Sequence, residues 1–201
     1  MSDEVNEFLG SSPELFQPVE LSAQALNRAM LEAVEFVHAE GWDNRPMLFA
    51  LVPARILMQA TGEMFGDDAD VSPLSLIIQE AIPEHIRPGS DELGDYLARI
   101  AWPAEVAGVI LAQEIEFLDS SADDSDDAAG VAAERRPARI FSGVLRSQEQ
   151  LTLLQLRPTE EELAAAGPFA EDNIELKGGP GVAPGVIKVL SHTLLASPED
   201  M

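Results

Sequence analysis

Apolar residues recur at helical spacing through "LSAQALNRAMLEAVEFVHAEGW" (21–42), where Leu26, Met30, Ala33, Val34 and Val37 fall on one face. Ser22 stands where an N-cap is expected and Gly41 where the helix should stop. The pattern then changes. "PMLFALVP" (46–53) is a continuous apolar run closed by proline, the mark of a buried strand. "ARILMQATGE" fits either a short helix or a second strand, "GDDADVSP" is a loop, and "LSLIIQEAI" is a strand. A turn-rich "PEHIRPGSDE" leads into a short helix in "SDELGDYLARIA", capped by Ser90 or Asp91.

"WPAEVAGVILAQEIEF" (102–117) is the longest strand candidate, with Val109, Leu111, Ile115 and Phe117 on one face and Glu114 and Glu116 on the other, solvated face. Two further strands, "ARIFSGVL" and "LTLLQLRP", flank the short hairpin loop "RSQEQ". "TEEELAAAG" provides one or two helical turns ended by Gly167 and Pro168, and "LKGGPGVAPG" is a glycine–proline loop. That loop opens into a last helix in which Val186, Val189, Leu190, Thr193 and Leu194 follow i, i+3, i+4, i+7, i+8 spacing. Consecutive strands joined by loops predict an α+β fold, a mostly antiparallel sheet covered on one face by the N-terminal and C-terminal helices. The expected layout is an N-terminal arm at 1–20, one domain at 21–196 and a tail at 197–201.

The most conspicuous stretch is "DSSADDSDDAAGVAAERR" (119–136), with five aspartates in nine residues. Its charge and small side chains leave little to bury, so a disordered acidic loop is expected over 119–137. A calcium site is the sharper alternative. Asp123, Ser125, Asp127 and Glu134 occupy the first, third, fifth and twelfth positions of an EF-hand register. Ala128 stands where the turn needs glycine, however, and strands flank the loop where helices should.

Acidic residues outnumber basic ones 36 to 12, a net charge of -24. A phosphate backbone or an anionic membrane surface is repelled by such a chain, so neither nucleic acid nor membrane is an expected partner. With no cysteine, disulfides, thiolate catalysis and sulfur-ligated zinc are removed. "MSDEVNEFLGSS" lacks both the basic and the apolar region of a signal peptide, and a cytoplasmic protein is expected.

Chemistry-bearing motifs are sparse. His38, His85 and His192 never fall at metal-pair spacing, and no GxSxG elbow exists. "GGPGVAPG" could offer backbone N–H groups to an anion, but it matches no phosphate-loop spacing, and Pro180 and Pro184 remove donors. Trp102 before Pro103 suits a plug at the core edge. No cofactor and no catalytic residue is expected.

"LFALVP" (48–53), "AWPAEVAGVILAQE" (101–114) and "RIFSGVLRSQEQLTLLQL" (139–156) together resemble a family of functionally uncharacterised acidic proteins of about this size from actinobacteria. The resemblance implies no site residues. One departure is Ser147–Gln148–Glu149, where the family tends to carry a tight Asp-Gly turn. In element order alone the chain is also similar to small acidic secretion chaperones, which commonly dimerise. The expected function is therefore a non-catalytic protein-binding or chaperone-like role with a protein partner not specified by the sequence. The partner surface, or the interface of a homodimer, is expected on Val186, Val189, Leu190 and Leu194. The alternative is an enzyme with a cryptic carboxylate or divalent-metal site.

Overall fold

The computed structural model describes residues 19–62, 72–119, 134–167, 174–179 and 183–196. A single turn of 3-10 helix at Val19–Leu21 precedes α1 (Ala23–Ala39). There follow β1 (Met47–Pro53), α2 (Ala54–Thr61), β2 (Leu74–Ile78), α3 (Asp91–Leu97), β3 (Gly108–Asp119) and β4 (Glu134–Leu145). The chain continues through β5 (Gln150–Leu156), α4 (Glu160–Ala166), β6 (Lys177–Gly179) and α5 (Pro184–Leu195). The strands form one antiparallel sheet in the order β2-β1-β3-β4-β5-β6. This is the α+β fold that the sequence predicts.

Local chemistry sets the element ends. The Ser22 side chain accepts the Ala25 N–H, and Gly41 at φ +84° terminates α1 in the left-handed conformation that glycine adopts freely. Ser90 caps α3. Thr159 and Glu162 form a reciprocal capping box on α4. The ambiguous "ARILMQAT" segment is helix, and "LSLIIQEAI" is strand only through Ile78, with Ile82 turned into the core.

The helices do not share one face. α1 covers the face bearing Phe49, Leu51, Ile110 and Phe141. α3 and α5 cover the opposite face, bearing Leu48, Ala50, Val109, Leu111 and Val144. A second correction concerns "LKGGPG". Lys177–Gly179 adds a sixth strand, because Gly178 at φ +123° brings its backbone so close to the Thr152 carbonyl that a Cβ there would lie 2.3 Å from it.

α1 approaches the sheet through another glycine. A Cβ on Gly143 would meet Met30 Sδ at 2.5 Å and Leu26 Cδ1 at 3.1 Å. Opposite, Trp102 plugs the core edge as expected, its indole N–H donating to Thr193 Oγ1 of α5 at 2.9 Å. Arg146 gathers that corner: Nε donates to the Val106 carbonyl, Nη2 to those of Trp102 and Pro103, and Nη1 to that of Leu194 near the end of α5.

Candidate functional site

Two features of the described residues concentrate polar or unsatisfied groups. One is a polar row across the sheet, and the other is the free edge of β2.

The row follows from register. Glu114 of β3 lies opposite Arg139 of β4, and Arg139 lies opposite Gln155 of β5, all on α1's face. Arg139 is only 1% exposed. Its Nη2 donates to Glu114 Oε1 at 3.2 Å and to the Gly41 carbonyl, and its Nη1 reaches Gln155 Oε1 at 3.4 Å. The guanidinium lies 4.0 Å from the centre of the Trp42 ring, a stacking that favours arginine. Glu114 was expected on a solvated face. Instead its carboxylate accepts the backbone N–H groups of Asp43 at 2.9 Å and Asn44 at 3.3 Å.

Asp43, in the left-handed region at φ 68°, is gripped by both terminal nitrogens of Arg157 at 2.9 and 3.1 Å. That hydrogen-bonded pairing holds the Asp43 carboxyl below its ordinary pKa and raises Arg157 above its own. Burial lowers the Arg139 pKa, and Glu114 acts in the opposite direction. The row therefore fastens the α1–β1 connection onto the sheet, with most of its donors and acceptors spent on one another. A cavity of about 10 Å³, lined by Val37, Asn44, Met47, Ala112, Glu114 and Arg139 among others, is no larger than a water molecule.

The second feature is β2. Gln79 N–H donates to the Leu48 carbonyl at 2.9 Å and Ala54 N–H to the Pro73 carbonyl at 3.0 Å. With Ser75 opposite Val52 and Ile77 opposite Ala50, the odd-numbered residues exchange their backbone bonds with β1. The N–H and C=O groups of Leu74, Leu76 and Ile78 thus point away from the sheet, and among the described residues no strand pairs with them. Natural sheets blunt such edges with charge, proline or brevity. The opposite edge, β6, is short and carries Lys177 and two glycines, whereas "LSLII" carries neither charge nor proline.

The end of β2 is also apolar on both faces. Ile77 is 38% exposed on the α5 side and Ile78 is 53% exposed on the α1 side. Ile78 lies opposite Phe49, whose ring meets Phe36 of α1 edge-on at 5.9 Å, and Phe36 is itself 37% exposed. Phe36 and Ile78 thus flank Phe49 as neighbouring apolar groups at the edge.

The residues singled out in the sequence lie elsewhere. Leu190 and Leu194 are 1% and 2% exposed, packed into the core beneath α5, while Val186 and Val189 are half-buried against the same core. Within one chain that stripe rests on its own sheet. Asp123, Ser125 and Asp127 lie outside the described residues, and Glu134 is the first residue of β4, opposite Asp119. The strand thus takes in 134–137 of the expected loop. His38 Nδ1 lies 3.4 Å from Gln155 Nε2, and His85 and His192 are exposed. Among the described residues, no group of three or more His, Asp or Glu side chains is placed to hold a metal ion, and no helix is long and apolar enough to cross a membrane.

Neither a curated protein nor a solved structure matches the chain. Residues 26–195 match the family model described as PPA1309-like protein, and the chain belongs to that family.

Proposed function

We propose that this member of the PPA1309-like family is a non-catalytic, cytoplasmic protein-binding or chaperone-like protein, and that it holds its protein partner at the β2 edge. The observation that carries this reading is the coincidence, on one strand, of outward-facing backbone groups and exposed Ile77 and Ile78 beside Phe36. Exposed apolar groups gathered next to backbone donors and acceptors that no described strand pairs with form a surface suited to a partner chain.

Ile78→Lys tests it. The side chain is more than half exposed, so the substitution should change stability by less than about 0.5 kcal/mol. Wild type and variant, matched for melting temperature and circular dichroism, are used as baits in extract of the source cells at physiological salt. The expected result is a defined protein retained by wild type and lost by the variant. The same proteins on both baits would overturn the reading.

A further inference from the structure

We infer that the β2 edge accepts an extended segment of another protein as an added strand, and that this segment is apolar at its centre and basic at its ends. The inference rests on the protein-binding reading above and adds how the partner is held and what its chemistry is. Strand addition follows from the direction of the backbone groups. Leu76 and Ile78, which unlike the buried Leu74 reach the surface, each present an N–H and a C=O outward, the start of the ladder an added strand completes. An apolar centre suits Ile78, Phe36 and Ile77, which would flank the new strand on its two faces.

Basic ends follow from the rim. Glu32 and Glu40 lie one helical turn to either side of Phe36 on the outer surface of α1. Glu80 is exposed immediately beyond β2, and Glu84, also exposed, follows it. Among the described residues, Arg28 and Arg45 form ion pairs with Glu32 and Glu84. A lysine- or arginine-flanked strand meets this rim favourably, whereas an acidic one is repelled. The same rim argues against a second copy as the occupant. Two β2 edges paired across a two-fold axis would bring their acidic rims together on chains of net charge -24 each.

The test uses the full chain and three short synthetic peptides. The first has an alternating Val/Thr core with a lysine pair at each end. The second replaces the lysines with glutamates. The third is the lysine peptide N-methylated at every core amide, which removes the donors of both strand edges. Amide hydrogen exchange is followed residue by residue. The lysine peptide should slow exchange at Leu76 and Ile78 while leaving Ile110 in the central strand β3 unchanged. The glutamate peptide should bind at least about tenfold more weakly, and the N-methylated peptide should give no protection.

Equal binding of the lysine and glutamate peptides would overturn the basic chemistry. Equal protection by the N-methylated peptide, or protection by none of the three, would overturn strand addition. In either case an Ile78-dependent partner captured from extract would leave the protein-binding reading standing. If the bare chain protects Leu76 and Ile78 increasingly with concentration and doubles in mass by light scattering, the occupant is a second copy and the inference fails.

Discussion

Arg139 shows how little a residue's role depends on its local sequence. In "ERRPARIF" it is one of three nearby arginines, and Glu114 is one of 36 acidic residues. Only register brings the two opposite each other, with Gln155 as third member, and register over such distances has no local signature. Removing one member of a buried, hydrogen-bonded charge pair is costly because the other is left behind. Arg139→Ala should therefore lower stability by about 3 kcal/mol in chemical denaturation. An unchanged midpoint would mean that the row carries no structural load.

Asp43 gives a pH test at the same scale. Its folded pKa lies below the ordinary value because Arg157 grips the carboxylate, so the unfolded chain takes up that proton first as the pH falls. Its stabilising contribution is thus present above the ordinary aspartate pKa of about 3.9 and lost as the pH falls through the lower folded value. Asp43→Asn should melt below wild type at neutral pH, and the gap should close as the pH falls through the depressed folded pKa of Asp43. A gap of constant size would show that the ion pair is not its cause.

Among the elements, α1 was legible almost residue by residue, since its apolar spacing and the Ser22 and Gly41 ends all have local causes. β6 was hidden, because glycine and proline are also the marks of a loop and only Thr152's position explains Gly178. The placement of α5 opposite α1 had a signal in "LFAL" and "GVILA". A strand covered on one face alternates, whereas these runs are apolar at every step, as both-sided burial requires. Leu190→Ala should cost about 2–5 kcal/mol, and Leu190→Asp more, because a charge is buried without a partner. Calorimetry that finds Leu190→Asp as stable as wild type would remove α5 from the core. On the other face, Gly143→Ala should cost about 1–3 kcal/mol, because Met30 and Leu26 already fill the space of its new methyl. Wild-type thermal stability in that variant would mean that α1 can lift from the sheet freely.

At the scale of the molecule, charge and topology decide what the protein can meet. A net charge of -24 opposes compaction and self-association alike. The melting temperature should therefore rise with added monovalent salt and stay independent of protein concentration. A melting temperature that climbs with concentration would point to self-association. The edge itself was only half legible. "LSLIIQEAI" announced a strand, but nothing local says that β2 ends the order of the described strands, because strand order is fixed by the fold and not by the segment.

Photo-crosslinking inside the source cells probes the β2 edge as the surface that meets another protein. A photoreactive residue is placed at Ile78 in one variant and at Glu161, exposed on α4, in another. A partner held at the β2 edge should give a discrete adduct with a second protein from position 78 and none from position 161. An adduct from position 161 with none from position 78 would contradict it.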